Sequence, residues 1–165
     1  MADELQLRSL SPLFLTAEAF SPYGQAIWAT ADGKPFGRED AKLILDRGVP
    51  RFYIMHLQRR SFRFHEITRH CQCTQCLGSL DGKEWFLAVA PPGEKSHPEP
   101  EEITVFRIPG SCFVKLDLGT WHAGPYFEGD SVDFYNLELS NTNIGDRETV
   151  DMRSRFNVEY AIALS

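Results

Sequence analysis

Thr74-Gln75-Cys76-Leu77-Gly78-Ser79-Leu80-Asp81-Gly82-Lys83-Glu84-Trp85-Phe86-Leu87-Ala88-Val89-Ala90 is the stretch that decides the fold class. Two apolar runs, Thr74 to Leu80 and Glu84 to Ala90, flank Asp81-Gly82, a dipeptide suited to the positive φ angles of a tight turn, so the spacing predicts a two-residue β-hairpin. Pro91-Pro92-Gly93 stops the second run, and the polar, proline-bearing Glu94 to Glu102 reads as loop. Downstream, Ile103 to Ile108, Ser111 to Leu116 and Val132 to Leu139 read as strands, with turns at Pro109-Gly110 and Gly129-Asp130. Upstream, Arg51 to Leu57 is rich in aromatic and branched residues. Ser61 to His70 alternates, which places Phe62, Phe64, Glu66, Thr68 and His70 on one face. Gln25 to Trp28 and Arg155 to Ala163 supply further strands. Helix is expected only over 16–20, behind the N-cap Thr16, and over 41–46, ended by Arg47-Gly48-Val49-Pro50. Eight or more short strands with turn signals between them spell an all-β, antiparallel sandwich or barrel.

The chain has 165 residues, a length that favours a single domain, 1–165, able to bury a core without disulfides. Hydrophobic residues make up 42% and charged residues 24%, which excludes an intrinsically disordered chain. No apolar run approaches the ~20 residues of a membrane helix, and Met1-Ala2-Asp3-Glu4 lacks signal-peptide character. A net charge of −6 argues against nucleic acid and membrane as partners. The expectation is a cytoplasmic protein acting on a small molecule. Cys71, Cys73, Cys76 and Cys112 are then free thiols. The alternative, zinc held by His70 and the three clustered cysteines, lacks the second ligand pair that a zinc ribbon places roughly 12–20 residues on.

Two polar islands interrupt the apolar strands: His65-Glu66-Ile67-Thr68-Arg69-His70 with Gln75, and Gly119-Thr120-Trp121-His122-Ala123-Gly124-Pro125. Both fall at strand ends, where a small barrel opens. Two imidazoles and an amide oxygen converging there would suit a divalent metal ion. His56, His65 and His97 read as hydrogen-bonded structural histidines, and Trp121 as a packing residue of the pocket wall.

Leu15-Thr16-Ala17-Glu18-Ala19-Phe20-Ser21-Pro22-Tyr23-Gly24, then Thr68-Arg69-His70 to Gln75, then Gly119-Thr120-Trp121-His122, and lastly Val132-Asp133-Phe134 resemble, in order and spacing, the ureidoglycolate lyase family. The resemblance runs from about Leu13 to Asp146. It implies a cupin-like β-barrel of jelly-roll type, a homodimer, and cleavage of ureidoglycolate, a step of allantoin degradation in purine catabolism. The first histidine position of a typical cupin is Thr68 here and the acid position is Gln75, so a metal held by His70, Gln75 and His122 has no anionic protein ligand among those three. Glu138 matches an acid of the family and is the expected proton-transfer residue. Arg69 and Lys115 are the expected carboxylate clamp. The alternative function is that of a metal-free cupin, either a small-molecule binding protein or an isomerase of another metabolite.

Overall fold

The protein was analysed as a computed structural model, which describes residues 3–164. Fourteen strands follow in chain order: β1 (Gln6–Leu10), β2 (Leu13–Phe14), β3 (Gly24–Trp28), β4 (Pro50–Gln58), β5 (Arg63–Phe64), β6 (Glu66–Arg69) and β7 (Gln75–Ser79). They continue as β8 (Gly82–Ala90), β9 (Thr104–Gly110), β10 (Cys112–Leu116), β11 (Trp121–Tyr126), β12 (Ser131–Leu139), β13 (Glu148–Asp151) and β14 (Val158–Ile162). Helix is limited to α1 (Ala17–Phe20), α2 (Thr142–Gly145), α3 (Met152–Phe156) and one 3₁₀ turn (Pro100–Glu102). The all-β expectation holds, and Thr16 caps α1 by accepting the Ala19 N–H at 3.0 Å. The expected turn of helix over 41–46 is absent: Thr74 Oγ1 accepts the Ile44 N–H at 2.9 Å and the Ile44 carbonyl accepts the Thr74 N–H at 3.1 Å, so this irregular segment is tied to the approach to β7 instead.

Three sheets form: β3-β10-β7-β12-β4, β13-β6-β11-β8-β9-β2, and β1-β14-β5. Their edges stay open, so they are not closed into a barrel. Pairing is antiparallel except for β1 with β14 and β2 with β9. The two large sheets face each other across a core that includes Phe20, Leu77, Trp85, Leu87, Val89, Phe106, Ile108, Val114 and Phe134. A second core, with Phe86, Ala88, Ala90, Val105, Trp121, Met152 and Tyr160, joins the six-stranded sheet to the three-stranded one and α3. β8 is therefore covered on both faces, which is why Trp85 to Ala90 is apolar without alternation.

The Asp81-Gly82 turn exists, with φ of 59° and 66°, but it does not join a hairpin. β7 pairs with β10 and β12, whereas β8 pairs with β9 and β11. The turn is a corner where the chain passes from one sheet to the other. Its local chemistry dictates the reversal, not which strand each arm then bonds to. Ser61 to His70 likewise divides into β5 and β6, which belong to different sheets.

Candidate active site

Beyond β8 the two large sheets splay apart. Strands β6 and β11 on one side, and β4, β7 and β12 on the other, enclose a cavity of about 490 Å³. His70, Gln75 and His122 all line it. His70 directly follows β6, where its carbonyl accepts the Gly119 N–H at 2.8 Å and so draws the approach to β11 alongside. His122 stands opposite Thr68 on the neighbouring strand, and the two imidazole centroids are 5.1 Å apart. Gln75 begins β7 in the facing sheet.

Hydrogen bonding fixes what these side chains present. His70 Nδ1 lies 2.6 Å from the Asp146 carbonyl, which can only accept, so Nδ1 is the donor and Nε2 is the ring nitrogen left for a ligand. His122 Nδ1 makes a longer contact, 3.4 Å, to the Thr120 carbonyl. Burial, reinforced by the neighbouring His70 and Arg147, pushes the His122 pKa down to about 3, so its imidazole is neutral at pH 7. Gln75 Nε2 donates to Asn136 Oδ1 at 3.0 Å and to Glu138 Oε2 at 3.3 Å. Asn136 is oriented in turn, because its Nδ2 donates to the Tyr53 hydroxyl at 3.1 Å. Both neighbours of the Gln75 amide nitrogen are acceptors, so Gln75 Oε1 is turned away from them. It is buried and has no hydrogen-bond partner among the described residues. An orphaned buried oxygen costs about 1–3 kcal/mol unless something meets it. Two imidazole nitrogens and this oxygen form a donor set of a kind that fits a divalent metal ion of borderline hardness.

Three expectations need correction. Glu138 does not line the cavity. It lies one layer behind Gln75, buried, with Gln75 Nε2 at 3.3 Å and the Tyr53 hydroxyl and Asn143 Nδ2 each donating to Oε1 at 3.2 Å. Arg69 points to the other face of β6, as strand alternation requires. There it donates to Glu148 at 2.8 Å and to the carbonyls of Gly93 and Lys95 at 3.1 Å, and it lies over the Trp121 ring at 4.6 Å. Lys115 is buried on the face of β10 turned away from the inter-sheet core, in register with Cys76, and binds Asp117 at 2.6 Å. Neither cation reaches the cavity. The four cysteines are free thiols, and burial pushes Cys76 and Cys112 up to about 11. Among the described residues the cysteine cluster does not gather into a ligand set.

Other side chains line the cavity instead. His65 lines the cavity and its Nδ1 lies 2.9 Å from Asp151 Oδ1. The Asp151 carboxylate is itself fixed as the N-cap of α3, accepting from the N–H of Arg153 and the hydroxyl of Ser154, both at 2.9 Å. Arg60, Arg63, Asn143 and Arg147 also line the cavity. Asp146 ties this last segment down, its carboxylate accepting the N–H groups of Cys71 and Gln72, each at 2.8 Å. Sequence reading treats the region beyond Asn141 as a polar tail, and no motif or periodicity there announces a cavity wall.

The sequence pattern of a known family covers this architecture almost end to end. The profile described as ureidoglycolate lyase matches residues 7–159. A ureidoglycolate lyase of Azotobacter vinelandii (strain DJ / ATCC BAA-1303) is 25% identical over 130 residues, 72% of this chain and 76% of the relative. Among solved structures, the crystal structure of a dTDP sugar isomerase from Desulfovibrio desulfuricans G20 superposes with a TM-score of 0.49 at 16% identity, covering 82% of this chain and 89% of that one. With the match spanning both polar islands and nearly every strand, the chain belongs to the ureidoglycolate lyase family.

Proposed function

We propose that this enzyme cleaves ureidoglycolate to glyoxylate and urea, or cleaves a closely related small hydroxy acid in the same way. Family membership supports the reaction class. At the site, the supporting observation is the orphaned Gln75 Oε1 in the cavity that His70 and His122 also line, with the Nδ1 of His70 engaged and its Nε2 left over. The reaction is the collapse of a carbinolamine. The hydroxyl loses its proton, the carbonyl forms as the C–N bond breaks, and the urea nitrogen takes the electron pair and a proton. No oxidant or water is consumed. His70 Nε2, His122 Nε2 and Gln75 Oε1 would hold one divalent metal ion, which when bound polarises oxygen atoms of the substrate and makes the hydroxyl more acidic. His65, oriented through Nδ1 by Asp151 and not one of the three ligands named, has its other ring nitrogen unengaged among the described residues, and it carries the proton from hydroxyl to leaving nitrogen. Glu138 acts as a positioning residue, holding the Gln75 oxygen toward the cavity.

The test is a coupled assay for glyoxylate release from ureidoglycolate, run with and without chelator. Release that falls on chelation, together with loss of bound metal in His122→Ala, is the expected result. A protein inert to ureidoglycolate in both arms, yet binding small acids, would favour the binding-protein reading. Assembly as a homodimer completes the proposal. The outward face of β4 and β12 carries exposed Phe52 and Ile54, with Phe52 stacked on Tyr135 at 5.6 Å, apolar surface of the kind a second copy covers. Light scattering that returns the mass of one chain at micromolar concentration would overturn that part.

A further inference from the structure

Arg69 and Lys115 leave the substrate carboxylate without a partner, and three other arginines border the cavity. Arg63 is engaged, with Nε 3.0 Å from Glu159. Arg60 lies with its guanidinium 6.0 Å from the centre of the Tyr126 ring. Tyr126 is four residues beyond His122, past an irregularity in β11 between Ala123 and Tyr126. What decides between them is attachment, since Arg147 directly follows the residue whose carbonyl is bonded to His70. In ureidoglycolate the carboxylate and the hydroxyl sit on the same carbon, so a hydroxyl held at the histidines requires a cation at that end of the cavity.

Arg147 is at that end. On one side Asp146 is locked to the His70 loop by its carbonyl bond to His70 Nδ1 and its two carboxylate bonds to Cys71 and Gln72. On the other, Glu148 pairs in register with Arg69 and binds its guanidinium. Both neighbours are thus pinned to the segment that carries His70, which fixes where the Arg147 side chain starts. Arg147 lines the cavity, is exposed to solvent, and among the described residues has no carboxylate, carbonyl or hydroxyl on its guanidinium. We propose that Arg147 is the carboxylate anchor of the site, so that the enzyme selects small α-hydroxy acids bearing a carboxylate next to the reacting carbon. The inference rests on the lyase reading above and names the substrate feature that the site recognises. A planar guanidinium fork meets a carboxylate with two parallel, charge-assisted hydrogen bonds.

The experiment compares wild type, Arg147→Gln, Arg147→Lys and Arg60→Gln, with Arg38→Gln in an exposed loop as control. Kinetics are measured on ureidoglycolate. Binding is measured by calorimetry for oxalurate, its keto analogue, and for the neutral amide of oxalurate. Arg147→Gln should raise KM at least about tenfold, by loss of the charge-assisted bonds, with a smaller change in kcat, and should lose the wild-type preference for oxalurate over its amide. Arg147→Lys should fall between the two, and Arg60→Gln should raise KM less than Arg147→Gln does, whereas Arg38→Gln should stay within about twofold of wild type. Unchanged melting of the variants separates these effects from misfolding. If wild type releases glyoxylate while Arg147→Gln keeps its KM and its preference, the anchor is wrong and the lyase reading stands. If wild type releases none, the lyase reading fails and takes this inference with it.

Discussion

The space between the two large sheets is built twice over, and the two halves differ. Where β8 and β9 face β7, β10 and β12, the inward residues are Trp85, Leu87, Phe106, Val114 and Phe134, and the gap is filled. Where β6 and β11 face β4, β7 and β12, the inward residues include His70, His122, Gln75 and Asn136, and the gap is a cavity of about 490 Å³. β12 makes the change within one strand: Val132 and Phe134 belong to the core, and two and four residues on, Asn136 and Glu138 form a buried polar network. Buried polar groups are tolerated when each finds a partner, and in this network all but one side-chain atom do, a second orphan, Trp85 Nε1, lying in the filled half. The exception, Gln75 Oε1, faces the open half. A fold stabilised by one half can keep the other half unfilled for chemistry.

Breaking the filled half should have the largest effect. Phe134 is fully buried against Trp85 and Phe127. Phe134→Ala should cost about 3–5 kcal/mol in urea unfolding. Turnover per folded molecule should stay unchanged, because Phe134 does not line the cavity.

Disturbing the network behind the cavity should cost less stability and more function. Glu138→Gln keeps size and shape but replaces one acceptor oxygen with an NH₂ group. That group would meet the Gln75 NH₂, now 3.3 Å from Glu138, and the Gln75 amide would flip to escape the donor–donor contact. Stability should fall by about 1–2 kcal/mol. Metal binding measured by calorimetry should weaken sharply, since a donor would then face the cavity. Unchanged metal binding in Glu138→Gln would show that the orientation of Gln75 is set by something else.

Acid probes the wall that carries His65. Burial alone would raise the Asp151 pKa, but the bonds from His65, Ser154 and the backbone of Ser154 and Arg153 outweigh it and hold the carboxyl at about 2. A carboxyl depressed in the folded state binds fewer protons than in the unfolded chain. Its stabilisation is therefore complete above the ordinary Asp value, near pH 3.8, and is lost as pH falls through about 2. With a side chain about one-third exposed, solvent screening limits the contribution to about 1 kcal/mol. Urea midpoints at pH 4.5 and pH 2.5 should fall more steeply for wild type than for Asp151→Asn.

The same contrast between filled and open halves sets what was legible in the sequence. The strands announced themselves because branched and aromatic runs ended by Gly and Pro leave little choice of local structure. His70, Gln75 and His122 stood out as polar residues at the ends of such runs, and they share the cavity. Pairing was not legible, since Asp81-Gly82 encodes a reversal of the chain and not the sheet that each arm joins. Glu138 read as a cavity residue because alternation gives the inward side of a strand, not the layer in front of it. Arg147 and Asp146 were invisible for a plainer reason: their positions depend on bonds to residues 69–72, more than seventy positions earlier.

The smallest effect is expected from a histidine that imitates His65. His56 Nδ1 lies 2.6 Å from Asp133 Oδ1, as close a pair as His65 with Asp151 at 2.9 Å. The two pairs have the same chemistry and differ in what lies in front of them. His56 sits on the outward face of β4 with its side chain 60% exposed, whereas His65 lines the cavity. An exposed pair contributes about 0–1 kcal/mol, so His56→Ala should shift stability by no more than that and leave glyoxylate release unchanged. His65→Ala should lower kcat at least about a hundredfold, the low end of what a positioned acid–base group supplies, with KM little altered. Equal loss in the two variants would mean that an Asp-oriented imidazole matters to this protein wherever it lies. Loss in His65→Ala alone would tie the proton transfer to the open half of the sandwich.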